Sequence, residues 1–112
     1  MATYSDIFID QGSTFSSTIS VKNTNGTPYN LTGYSVRGQI RKTYSSLNAI
    51  SFTPHVTAPL TGDVGISLTA TQTRAMKPGR YVYDVEIYNN GGHVLRIAEG
   101  QVEISPASTR PA

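Results

Sequence analysis

Cysteine and tryptophan are both missing from this chain of 112 residues. Without cysteine there is no disulfide framework and no thiolate metal site, which fits a cytosolic place of synthesis. Charge is scarce too: charged residues make up 14% of the chain and the net charge is +2. A nucleic-acid binder usually shows a denser, clustered set of Lys and Arg, so phosphate is not the expected partner. No apolar run approaches the roughly 20 residues needed to cross a bilayer. Met1–Asp6 lacks the charged region and apolar run of a secretion signal. What remains is rich in Ser, Thr, Asn, Gly and Tyr, a neutral polar surface better suited to proteins than to phosphate.

Local signals concentrate in Ser67–Ile87. Thr69-Ala70-Thr71-Gln72 fits a capping box, so one helical turn is expected around Ala70–Met76. Pro78-Gly79 is read as a type II turn that ends it. Arg80–Tyr88 then alternates: Tyr81, Tyr83, Val85 and Ile87 share one face, Val82, Asp84, Glu86 and Tyr88 the other. This predicts a long half-buried strand through the middle of a sheet.

Elsewhere the chain reads as short strands separated by turns. Asp6–Asp10 and Thr14–Val21 are strands. Asn25-Gly26 is a type I′ hairpin signal. Pro28–Tyr34 is a connection in which Leu31 and Tyr34 plug the core and Gly33 supplies a bend. Val36–Lys42 alternates, with Arg37, Gln39 and Arg41 outward, and Thr43–Asn48 is a polar loop. Ile50–Val56 is one strand, at an edge or bulged because Pro54 cannot donate to a ladder. Thr61-Gly62-Asp63 turns into Val64–Leu68. Asn89–Gly92 is a hairpin loop leading to His93–Ile104. There Leu95 and Ile97 have the opposite parity to Val102 and Ile104, so Gly100 is the expected bulge. Phe15, Ile19, Val36, Ile40, Phe52, Ile66, Leu68, Tyr81, Tyr83, Val85 and Ile87 are the expected core. The prediction is a single all-β domain over 1–112, an antiparallel two-sheet sandwich of seven to eight strands with one short helical segment.

Leu31-Thr32-Gly33-Tyr34, Val36–Lys42, Ser67–Ile87 and Glu99–Ser105 together resemble a small immunoglobulin-like module of tailed bacteriophages, cyanophages among them. It is similar to the N-terminal domain of baseplate upper proteins. The likeness runs from about Phe8 to Ile104 and rests on turn and strand signatures. It implies an Ig-like sandwich in architecture only, since the Cys…Trp…Cys hallmark is missing. It further implies a non-enzymatic virion protein in the tail or baseplate, tethering fibres or bridging neighbours in many symmetric copies. A capsid decoration or cement protein of the phage head is the alternative, and a host-surface carbohydrate-binding module ranks third.

No residues assemble into a recognisable catalytic or cofactor site. The two histidines, His55 and His93, lie on different strands with no helpful carboxylate spacing, so neither a metal site nor a triad is expected. Asp84 and Glu86 are read as cross-strand partners of Arg37 and Arg41 rather than as a carboxylate pair. No aromatic shares the Arg37–Arg41 strand face, so base stacking there is not expected. The interface candidates are Tyr4, Tyr29, Tyr44, Tyr88, Arg37, Arg41 and Arg110, because exposed tyrosine and arginine are enriched at protein contacts. The segments 1–5 and 105–112 have little apolar content and are read as extended arms docking on other chains, with Tyr4 and Arg110 as anchors. Neither nucleic acid nor membrane is an expected partner. The sequons Asn25-Gly26-Thr27 and Asn30-Leu31-Thr32 are taken as accidents of polar loops.

Overall fold

Alternation in Arg80–Tyr88 becomes strand β8 (Gly79–Asn89), flanked by β4 (Tyr34–Arg41) and β9 (Val94–Ser105). The computed structural model of the protein describes residues 3–108. Strands β1 (Thr3–Tyr4) and β2 (Ile7–Asp10) both lie parallel to β9, as two pieces of one edge broken at Ser5-Asp6. On the far side, β5 (Ile50–Ser51) pairs with β4 at Gln39 and Ile40. The second sheet runs β3 (Phe15–Ser20), β7 (Asp63–Leu68), β6 (Thr53–Ala58). Helix α1 (Ala70–Arg74) connects β7 to β8, and a 3-10 turn at Pro59–Thr61 precedes β7. With the broken edge counted once, this is an Ig-like sandwich of eight strands, sheets of five and three.

The two sheets close over Val64, Val85, Ile87 and Val102, each 0% exposed. Leu31 is buried as expected, and Gly33 takes φ 82° to turn the chain past it. Tyr81 carries a hallmark of such sandwiches: its hydroxyl donates to the Lys77 carbonyl at 2.7 Å, the corner bond at the start of this strand. Tyr83, two residues on, occupies the place where immunoglobulin domains put their second cysteine. Its ring meets Phe52 edge-on with centroids 6.1 Å apart, an aromatic contact between the larger sheet and the segment that crosses to the smaller one.

Several expectations change. Phe15, Ile19 and Tyr81 are only half-buried, while Ile9, Val21, Met76, Ile97 and Ala98 join the core. Ile50–Val56 is not one strand, because the chain crosses between sheets at Phe52, whose amide still donates to Gly38. Pro54 does sit on an edge strand, next to a register shift. Asn25-Gly26 is not a type I′ turn: no described residue except glycine has positive φ, and Gly26 alone takes 88°. The loop instead closes Asn23 onto Gly26 and Thr27, the three-residue hairpin with glycine in the left-handed position. Gly79, at φ 138°, already opens β8, so Pro78-Gly79 is not a type II turn, whose third residue sits near +80°. The bulge in β9 falls at Ile97, since Val85 faces Ala98 while Glu86 faces Arg96. Gly100 serves a different purpose, because a Cβ there would collide with the Ser5 carbonyl oxygen where the N-terminal strand crosses.

Where they are described, the ends are not free extended arms but lie along their own domain. Tyr4 pairs with Glu99, the Ser5 amide donates to Glu99, and the Tyr83 hydroxyl donates to the Ser5 carbonyl at 2.6 Å. Ser105 closes β9 opposite Asp10, and the Ala107 amide donates to Gln11 Oε1 at 3.1 Å. Backbone hydrogen bonding to β9 outweighs the low apolar content of these segments. Arg110 lies outside the described residues.

Candidate protein interface

The outward residues of β4, β8 and β9 form one polar face, ordered by register. Arg37 stands opposite Glu86, Gln39 opposite Asp84, and Asp84 opposite Glu99. Arg37 and Glu86 pair as expected. Arg41 does not reach a carboxylate: it donates to the Ser46 carbonyl and, at 2.9 Å, to Gln39 Oε1. Asp84 is taken by Arg96 of β9 at 3.5 Å, and Arg96 also reaches Glu99 at 3.5 Å. Arg80 pairs with Glu103 at 3.5 Å. Three arginines (37, 80, 96) thus pair with four carboxylates (84, 86, 99, 103), and Arg41 lies on the same face. Each exposed pair contributes only ~0–1 kcal/mol, but together they leave no surplus positive charge.

Aromatic groups frame this face. Tyr88 does share it, across the strand, and the Arg37 guanidinium lies 4.4 Å from its ring centroid. A cation held over an aromatic face gains ~0.5–1 kcal/mol at an exposed site. Tyr44 is 76% exposed on the loop after β4, which the Arg41–Ser46 contact and the Thr43–Ser46 turn hold in place. Beside Tyr44 opens a groove of about 530 Å³, lined by Arg37, Gln39, Arg41, Tyr44, Phe52 and Asp84 among others. At the opposite margin, Tyr4 and Phe8 pair with Glu99 and Glu103 and stand 66% and 72% exposed.

Of the sequence-derived candidates, the fold thus gathers Arg37, Arg41 and Tyr44 around one groove, holds Tyr88 beside Arg37, and sets Tyr4 at the far margin. Tyr29 belongs elsewhere: its ring packs on Tyr34 and the two hydroxyls hydrogen-bond at 3.0 Å. That bond and burial raise the Tyr29 hydroxyl above its ordinary pKa. Phe8 was missed, although its parity, opposite to Ile7 and Ile9, marks it as outward. His55 is exposed on β6, and His93 stacks edge-on against Tyr34 with centroids 6.0 Å apart. Among the described residues no three His, Asp or Glu side chains gather as metal ligands.

No protein-family model matches the chain, and a search of curated proteins finds no match. Among solved structures it is similar to Tim-1, at 13% identity over 100% of both chains with a TM-score of 0.49. It is also similar to CopC from Methylosinus trichosporium OB3b, at 12% identity over 70% of this chain and 72% of that one, TM-score 0.42. An internalin-like protein of Listeria monocytogenes matches at 15% identity and TM-score 0.45, covering 93% of this chain but 28% of its own length. The class of the fold rests on the sheet order and registers described above.

Proposed function

We propose that this protein is a non-enzymatic structural component of a tailed-phage virion, made in the bacterial cytoplasm and built into the tail or baseplate in many copies. It joins neighbouring virion proteins through the outer face of its larger sheet. One observation carries this reading: a rigid face with internally paired charges, marked by a groove and by exposed Tyr44, Tyr4 and Phe8 at its margins. Large aromatics raised above a neutralised polar surface are suitable anchors for a protein partner. The likeness of Ser67–Ile87 and Glu99–Ser105 to baseplate modules supports the tail over a decorating position on the head.

Substituting exposed side chains separates docking from folding. Tyr44→Ala and Phe8→Ser are each expected to change stability by no more than ~0.5 kcal/mol, yet to lower the copy number in purified particles. Quantitative mass spectrometry and a reconstruction of the particle supply both readouts. Particles that take up the double variant at the native level would rule out this face. A protein found only in infected-cell cytosol would remove the virion role, and density on the head would move it to decoration.

A further inference from the structure

We infer that β3 is a pairing edge for a second copy of this chain. The Val21 amide donates to Gly62 at 2.7 Å, and the register continues as Ile19–Val64 and Ser17–Ile66. Odd-numbered residues of β3 therefore bond to β7, and the amides and carbonyls of Ser16, Thr18 and Ser20 point away from it. Among the described residues these groups have no backbone partner beyond the sheet. Every other edge carries a blocking device. Strand β6 has Pro54 and a register shift, β5 is two residues long, and the β1–β2 edge is broken at Ser5-Asp6, with acidic Asp6 just before β2 and Asp10 at its end. The open part of β4 carries Arg37. Strand β3, FSSTIS, has no proline, no charge and no bulge.

Its inner side also asks for a neighbour. Phe15 and Ile19 face the core opposite Leu68 and Val64, with the Phe15 ring 6.2 Å from Phe52, yet both stay half-buried on this edge strand. A second β3, antiparallel about a two-fold axis at Thr18, would set Ser16 against Ser20 and Phe15 against Val21 of the partner copy. That register forms roughly six main-chain hydrogen bonds and covers the apolar pair on both copies. No like charges meet across it, because neither strand carries any. Self-pairing is thus the occupant that this neutral edge fits, and it is independent of the virion proposal.

The outward amide of Thr18 makes a selective test. Thr18→Pro removes a donor that β7 does not use, so the monomer keeps its ladder while the pairing edge is blocked. Thr18→Lys places like charges opposite each other at the axis, through a side chain that is exposed in the monomer. Sedimentation velocity over rising concentration is expected to show dimer for the native chain and monomer for both variants. The absence of native cysteine permits a second readout. Thr18→Cys should oxidise to a covalent dimer, since paired strands hold opposed Cα atoms about 5.5 Å apart. Ser16→Cys, whose partner would be Ser20, should cross-link far more slowly. A native chain that stays monomeric overturns the inference. So does a Thr18→Lys variant that dimerises like the native chain, or equal cross-linking at positions 16 and 18.

Discussion

At Gly100 one absent methyl group decides where the N-terminal segment runs. The Ser5 carbonyl occupies the space a Cβ would need, and the same carbonyl accepts from the buried Tyr83 hydroxyl. Gly100→Ala must push β1 away or shift β9, an overpacking cost of ~1–3 kcal/mol. Urea unfolding measures that loss, and faster exchange of the Ser5 amide reports where it falls. Tyr83→Phe tests the other half of the contact, with an expected loss of ~0.5–1.5 kcal/mol for one hydrogen bond. Burial, and then the nearby Asp6 carboxylate, raise the Tyr83 hydroxyl above its ordinary value. The folded state therefore keeps this proton at a pH where the unfolded chain has released it. Stability from this group is complete below about pH 10 and falls as pH rises through the folded value. The alkaline loss of Tm should be shallower in Tyr83→Phe. Tyr29 shifts in the same direction, so some slope persists. Equal slopes in the two proteins would refute the linkage.

At the scale of elements, α1 shows why local signals read well and long-range ones do not. Both halves of the Thr69–Gln72 capping box form, as the four-residue motif implies. What α1 does for the fold depends on Thr73, which has no sequence signature. Fully buried, its hydroxyl accepts from the Gly12 amide at 3.0 Å and donates to the Ser13 carbonyl at 2.8 Å. One side chain thereby ties the helix to the turn that carries the chain from one sheet to the other. Thr73→Val preserves shape but leaves a donor unpaired, and ~1–3 kcal/mol of stability should be lost, with Thr73→Ser restoring most of it. Thr69→Ala removes only the cap, at about 1 kcal/mol. Similar denaturation midpoints for Thr73→Val and the native protein would count against the tie. The alternation of β4 and β8 was legible for the reason the cap was, since period two is a property of consecutive residues. The crossing at Phe52 and the bulge at Ile97 were not, because both depend on which strands lie alongside. The same limit applied to the interface. The outward parity of Arg37, Glu86 and Tyr88 was visible in the sequence, but the diversion of Arg41 to the Tyr44 loop was not.

For the whole molecule, the decisive unread feature is that the first segment joins the larger sheet beside the last strand, in parallel. Composition made Met1–Ser5 look unattached, because two-residue strands have no periodicity and parallel partners lie far apart in sequence. The consequence runs through the sandwich: with β1 and β2 given to β9, the smaller sheet ends at β3, and Phe15 and Ile19 stay half-covered. A chain lacking residues 1–5 should therefore fold, because β2 still pairs with β9 from Ile7 to Asp10. It should nevertheless lose ~1–3 kcal/mol, since Tyr83 gives up its acceptor and β9 its partner at Glu99. Amides that β9 shares with β8 should keep their protection, while the Tyr83 hydroxyl should return toward the ordinary tyrosine pKa. Calorimetry and tyrosinate absorbance on the truncated chain give the two numbers. An unchanged Tm together with an unchanged tyrosine titration would mean that the segment is an appendage after all, rather than a strand of the fold.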